Sequence, residues 1–356
     1  MKILITGICG FVGSRVAAAI QERLPGASIA GIDNLLRAGS EVNRTKLQER
    51  GIEFAHGDLR VRSDLEALPK CDWVIDAAAN PSVLAGIDGR SSARQLGEHN
   101  LLGTLNILEY CRAQKLGLVL LSTSRVYSVR DLAALPMKER DRCFAFDEHK
   151  AGSIAGVSAA GINEGFSTRA PVSLYGATKL ASELIALEYG QAFDFPVWIN
   201  RCGVLAGAGQ FGTAEQGIFS YWLHAHAAGL PLRYIGFGGC GYQVRDAFHP
   251  DDLAALILLQ INRDPSPDAI YNVGGGRENA MSLAQLTDWC NERFRPNQPS
   301  PDLRSRPFDI PWMVMDNTRV STQLGWKPER TLASILDEIA AHTEANPDWL
   351  VRSKAV

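Results

Sequence analysis

The chain has 356 residues, 46% hydrophobic and 21% charged, an ordinary balance for a soluble globular protein with more than one domain's worth of core. A formal charge of −3 and a pI near 6.2 provide no basic face for nucleic acid or for an anionic membrane surface. Seven cysteines, an odd number with no C-x-x-C pair, argue for reduced buried thiols and against a disulfide framework or a zinc site, so no metal is expected.

Met1-Lys2-Ile-Leu-Ile runs straight into a glycine loop and reads as a strand, not a signal peptide. No apolar run approaches the ~18 residues of a membrane span; the stretch from Leu253 ends at Asn262. A cytoplasmic protein is expected. Through about residue 205, short apolar runs alternate with helical-period segments. Lys2–Thr6, Ser28–Ile32, Trp73–Ala79, Leu116–Ser122 and Pro196–Arg201 read as strands buried on both faces, and 11–24, 99–115 and 175–192 as helices. The alternation predicts an α/β fold, a doubly wound parallel Rossmann sheet over residues 1–205. Beyond it, glycine and aromatic clusters and Pro296–Pro311 mark a smaller α/β C-terminal lobe, 206–350, interleaved with the first and suited to substrate. No repeat or low-complexity tract appears.

Gly7, Gly10 and Gly13 follow the first strand and open a helix at Phe11 and Val12. In that context a glycine pattern reads as a dinucleotide site: a tight turn, room for the backbone to approach phosphate, and close helix packing. The spacing is G-x-x-G-x-x-G. Asp33 ends the second strand, twenty residues past Gly13, where a carboxylate accepts from the ribose hydroxyls and repels a 2′-phosphate, favouring NAD over NADP. Arg37 either reaches such a phosphate or is a solvated loop charge. Asp58 either bonds the adenine amino group or caps its loop.

Tyr175 and Lys179 are one helical turn apart, so both lie on one face. An ammonium beside a phenol favours the phenolate and brings its pKa, ordinarily about 10, toward working pH. Ser122-Thr123-Ser124 end an apolar strand at the carboxyl edge of the sheet, where such folds bind ligands; Ser124 is the hydroxyl best suited to polarise a substrate oxygen.

These residues resemble the extended short-chain dehydrogenase/reductase superfamily of sugar-nucleotide epimerases and dehydratases over essentially the whole length. The match includes the glycine loop, Asp33, Ala77-Ala-Ala79, Tyr175 with Lys179, Asn200-Arg201, Arg245-Asp246 with His249 and Asp252, and Leu324-Gly-Trp-Lys-Pro328. Asp33-Asn-Leu-Leu-Arg37, Asn80-Pro-Ser-Val83, Ser122-Thr-Ser-Arg-Val-Tyr127, Gly209-Gln-Phe-Gly212 and Gly236-Phe-Gly-Gly239 look closer still to its CDP-paratose 2-epimerase (CDP-tyvelose epimerase) branch. The resemblance implies catalysis by Tyr175, Lys179, Ser124 and Thr123. It implies NAD contacts from Gly7, Gly10, Phe11, Val12, Gly13, Asp33, Asn34, Asp58, Leu59, Ala77, Ala79, Ser122, Tyr175, Lys179 and Cys202. It implies nucleotide-sugar contacts from Asn80, Ser124, Arg125, Asn200, Gln216, Gly217, Arg233, Arg245 and Arg306, with Arg245 on the diphosphate. His249 and Asp252 are expected to fix the start of a helix, and Trp222, Trp312 and Trp326 to lie in the core.

Related 4,6-dehydratases typically carry an Asp-Glu pair after the strand-end threonine, as acid and base. This chain has Ser124 and Arg125 there, so elimination falls behind epimerisation; the branch resemblance implies inversion at carbon 2 of a CDP-hexose. Carbon-4 epimerisation of a UDP-hexose, net hydride transfer and a non-catalytic NAD-sensing role stay open. Apolar residues on more than one face of the helices at 99–115 and 175–192 predict a homodimer or homotetramer.

Overall fold

The computed structural model describes residues 1–89, 91–265 and 269–355, which divide into two compact units. The first comprises Met1–Val126, Leu174–Arg201 and Pro250–Tyr271, and the second Tyr127–Ser173, Cys202–His249 and Asn272–Val356. The boundary expected near residue 205, with the second lobe interleaved, falls among units that each draw on three segments of the chain. The first unit regains the chain at 250 because its sheet needs one more helix and strand, and the 127–173 excursion belongs to the second unit.

In the first unit the chain runs β1 (Lys2–Thr6), α1 (Phe11–Arg23), β2 (Ser28–Asp33), α2 (Ser40–Glu49), β3 (Glu53–His56), α3 (Arg62–Glu66), β4 (Trp73–Asp76), α4 (Ala93–Gly97), α5 (Gly103–Gln114) and β5 (Gly117–Thr123). It continues with α6 (Ser173–Phe193), β6 (Val197–Cys202), α7 (Pro250–Gln260) and β7 (Ile270–Val273). The seven strands form one sheet in the order β7-β6-β5-β4-β1-β2-β3. The pairs β1–β2, β2–β3, β1–β4 and β4–β5 are parallel. From β1 the chain winds outward to β3, then returns to β1's other side with β4. The strand order thus reverses between Thr6 and Asp76, which are register partners, and ligands of doubly wound sheets bind at such a crevice.

The inner strands β1, β4, β5 and β6 are buried and largely apolar because helices cover both faces. Leu4, Val74, Leu118, Leu120 and Ile199 pack with Ile107, Leu108 and Cys111 of α5 in one core. On the other face α1 lies against α7. β4 stops at Asp76, short of the expected Ala79, because the amides of Ala77 and Ala78 leave the ladder and donate to the Thr6 hydroxyl, both at 3.1 Å. The helix expected over 99–115 is a longer composite. Ser92 and Gln95 form a reciprocal capping box at its start, and a wide π turn, Glu98–Leu102, joins α4 to α5.

The second unit is a smaller α/β body. Residues 137–140 and 143–146 form an antiparallel hairpin. Val244–Phe248 is flanked by Ala280–Ser282, Trp312–Met313 and Val204–Leu205. Phe219, Trp222, Leu286, Ile335 and Ile339 fill its core, and Trp222, Trp312 and Trp326 are buried as expected. All seven cysteines are unbridged. No helix among the described residues is long and apolar enough to cross a membrane.

Candidate active site

The glycine loop explains its own composition. Gly7 has φ +62°, and a Cβ on it would sit 2.9 Å from the Ala78 Cα, in the crevice between β1 and β4. A Cβ on Gly13 would lie 2.3 Å from the Gly7 carbonyl oxygen and 2.8 Å from the Ile8 Cα, so α1 reaches the loop only because residue 13 has no side chain. Gly10 caps α1 in extended conformation, and no side chain caps that helix start. The first-turn amides at Phe11 and Val12 thus point a helix N-terminus at the crevice without an internal capping anion.

Asp33 faces the same loop. Its Oδ2 accepts from the Cys9 amide at 2.9 Å and its Oδ1 from the Leu35 amide at 2.8 Å. Burial pushes its carboxyl above the ordinary carboxylate range, while hydrogen bonds from the Leu35, Cys9 and Gly10 amides act the other way. Burial, with Asp33 beside it, pushes the Cys9 thiol up to about 12, so the loop cysteine stays protonated and unreactive. A glycine cradle, an uncapped helix end and a carboxylate at the end of β2 are the donor and acceptor set a dinucleotide requires, and NAD fits it.

Asp58 and Asn34 are less free than expected. The Asp58 carboxylate accepts from the Arg60 amide and Nε, both at 2.9 Å, from Arg60 Nη2 at 2.7 Å and from Asn34 Nδ2 at 3.1 Å. This holds its carboxyl well below the usual range. Of the two readings of Asp58, its side chain does the loop-capping one. Leu59 follows, its carbonyl accepting from Asn106 Nδ2 at 2.7 Å.

Behind the crevice, Thr6 donates to buried Asp76 at 2.6 Å and Thr104 does so at 3.2 Å, fixing the chain that carries Ala77, Ala79 and Asn80. Asn100, in the π turn, accepts from the Asn80 amide at 2.8 Å and donates to the Asn80 carbonyl at 3.1 Å. It also donates to the Thr178 hydroxyl at 3.2 Å, which in turn donates to the Tyr175 carbonyl at 2.8 Å. One buried amide therefore ties the Asn80 loop to the turn of α6 between Tyr175 and Lys179. Sequence reading passed over Asn100; the signal was a polar residue on the inward face of an otherwise apolar helix.

Tyr175 is buried against Val83, Ala85 and Leu96, and Lys179 is 2% exposed one turn on. Thr123 ends β5, and its hydroxyl accepts from the Arg125 amide at 3.2 Å across the short turn Ser124–Val126. The structure thus brings hydroxyl, phenol and amine into one unit. Two of the expected residues have their side chains engaged within the protein. Ser122, expected beside the cofactor, donates its hydroxyl to Glu183 of α6, on the face opposite to Thr123, because successive residues of a strand face opposite ways. Asn200, expected at the substrate, is fully buried. Its carboxamide donates to Gln260 Oε1 at 2.9 Å and accepts from Gln260 Nε2 at 2.8 Å. Cys202 is buried at the end of β6.

The other expected substrate residues lie in the second unit. Arg245 donates to the Val244 and Ile310 carbonyls at 2.7 and 2.9 Å and to Asp309 at 3.2 Å. Arg306 donates to the Ala214 carbonyl at 2.9 Å. Gln216 pairs through its backbone with Thr213, Gly217 starts the following helix in left-handed conformation, and Arg233 stands exposed on a short strand. His249 contacts Glu338 at 3.0 Å, and Asp252 lies in the first turn of α7, in keeping with structural roles. Among the described residues no cluster of three His, Cys, Asp or Glu could hold a metal.

Residues 3–274 match the profile of the NAD dependent epimerase/dehydratase family. The chain belongs to that family. Its cofactor is NAD. Among curated relatives of this epimerase/dehydratase, CDP-paratose 2-epimerase of Salmonella typhi is 28% identical, the alignment covering 92% of this chain and 95% of the relative. The dTDP-glucose 4,6-dehydratase of Streptomyces niveus is 26% identical over 98% and 94%. In fold, this family member superposes on UDP-glucuronic acid 4-epimerase from Bacillus cereus, solved with UDP-glucuronic acid and NAD, at a TM-score of 0.77, with 22% identity and coverage of 97% and 99%.

Proposed function

We propose that this chain epimerises a nucleotide-sugar, inverting carbon 2 of a CDP-linked hexose through a transient keto-sugar. The observation that carries the reading is the turn after β5. Elimination of water needs a carboxyl acid and a base there, and Ser124 and Arg125 supply neither, while Tyr175 and Lys179 supply what oxidation and reduction of a carbinol need. Similarity to a CDP-paratose 2-epimerase over nearly the whole chain supports the carbon and the base. Bound at the glycine loop, NAD supplies the acceptor and later the donor of the hydride. Tyr175 takes the hydroxyl proton and returns it, Lys179 favours the phenolate, and Thr123 and Ser124 donate to the substrate oxygen. Arg245 and Arg306 hold the diphosphate. The test is to incubate the purified enzyme with CDP-, UDP- and dTDP-hexoses and follow the sugar by NMR. Inversion at carbon 2 of a CDP-sugar without added NADH supports the reading. Inversion at carbon 4 of a UDP-hexose, net oxidation or reduction, or no turnover replaces it.

Asp33 is assigned to the adenosine ribose. Asp33→Ala is expected to weaken NAD binding and relax discrimination against NADP, measured by titrating both cofactors. Two unchanged affinities would remove the assignment.

We assign the protein to the cytoplasm, in polysaccharide biosynthesis, and to a homodimer or homotetramer built on α5 and α6. Leu102 just before α5 and Leu184 on α6 stand 40% and 63% exposed, apolar surface that a second copy would cover in such an assembly. Light scattering at micromolar concentration should give at least a dimer mass; a stable monomer contradicts this.

A further inference from the structure

We propose that the buried Glu183–Arg201 pair positions the Tyr175–Lys179 couple and balances the charge beneath it, a role that rests on Tyr175 being the proton carrier. Tyr175, Lys179 and Glu183 follow one another at intervals of four on α6, so they form a single stripe along that helix. Glu183 is the inner end of the stripe, with its side chain 2% exposed and that of Arg201 7%. Arg201, on β6, donates from Nε to both carboxylate oxygens at 3.1 Å and from Nη2 to Oε2 at 2.7 Å. Ser122, on β5, donates its hydroxyl to the same carboxylate. One side chain thus joins the helix that carries the phenol and amine to the strand that ends in Thr123, and to the next strand of the sheet.

Stability alone gives no reason for this arrangement. Burying two charges costs several kcal/mol for each ion, and well-packed apolar residues often serve the fold as well or better. The neighbouring strand residue illustrates the point, since Asn200 meets Gln260 through neutral amides. What the ion pair adds is a fixed geometry and a net charge of zero next to Lys179.

Several polar and charged groups surround this stripe. Lys179 and Tyr175 share its helix, Ser122 comes from β5 and Arg201 from β6. Asp76 on β4 is held by the Thr6 and Thr104 hydroxyls, and Asn100 lies beside Thr178. Glu109 and Arg112 of α5 pair with each other, and Glu109 meets Tyr189 toward the far end of α6. With the pair intact, the Lys179 ammonium acts on the phenol without a competing net charge. Glu183 without Arg201 leaves a buried carboxylate one turn from Lys179, which opposes the phenolate. Arg201 without Glu183 leaves a buried cation, which favours it.

The test is an ultraviolet difference titration of the Tyr175 phenol in NAD-bound protein, each protein referenced to its own Tyr175→Phe counterpart. Glu183→Gln should titrate lower than wild type, and Arg201→Gln higher, each by about one pH unit. The double variant, whose two amides can pair as Asn200 and Gln260 do, should return to the wild-type value. Should Arg201→Gln fail to fold, the downward shift of Glu183→Gln and its reversal in the double variant still decide the matter. Shifts in the same direction, or none, in folded variants overturn the inference alone. If wild type and Tyr175→Phe show no titration difference and turn over equally, the assignment of Tyr175 falls instead.

Discussion

Tyr175→Phe should fold, keep NAD and lose turnover by about 10²–10⁴-fold, the usual contribution of a positioned proton-transfer group. The ring is buried against Val83, Ala85 and Leu96, and phenylalanine keeps its volume, so packing survives. Asn100 reaches this turn through Thr178 and a backbone carbonyl, contacts that do not involve the phenol oxygen. The loss is therefore expected in kcat, with the apparent affinity for the nucleotide-sugar nearly unchanged. Near-normal kcat would remove Tyr175 from the chemistry.

The second large effect is expected at Gly13. A single methyl there would stand 2.3 Å from the Gly7 carbonyl oxygen, a backbone atom that cannot rotate aside, and 2.8 Å from the Ile8 Cα. Gly13→Ala must draw α1 back from the loop and take the amides at Phe11 and Val12 with it. Overpacking of this kind costs about 1–3 kcal/mol, so NAD affinity should fall by roughly 5- to 150-fold. Calorimetric titration with NAD checks it, and an unchanged dissociation constant would mean that the start of α1 does not hold the cofactor.

The parts of the molecule legible in the sequence are those fixed by local pattern. Ile3, Leu4 and Ile5 form an uninterrupted apolar run because both faces of β1 are covered, and Gly7 and Gly13 stand at backbone positions a side chain cannot occupy. The Tyr175–Lys179 interval is likewise a property of one helix. What sequence concealed depends on partners far along the chain. Asn200 resembled a ligand contact because nothing near it reveals Gln260, sixty residues on, as its mate. Glu183 looked like an ordinary helix residue until Arg201 and Ser122 met it. The Asp58 side chain was ambiguous, since Arg60 two residues on can claim it only in a particular turn. The segment 127–173 joins the second unit through pairings such as Ile162 with Met315, which no local periodicity announces.

Retention of hydrogen at the inverted carbon tests the central claim most directly. The proposed chemistry removes a hydride from carbon and returns it to the opposite face, while only the hydroxyl proton passes through Tyr175. Nucleotide-sugar deuterated at the reacting carbon, turned over in ordinary water, should give epimer that keeps its deuterium. Unlabelled substrate turned over in heavy water should gain none at that carbon. An enolising route, of the kind a carboxylate pair after Thr123 would support, exchanges that hydrogen with solvent. Solvent deuterium at the inverted carbon, even in the expected epimer, would contradict the account.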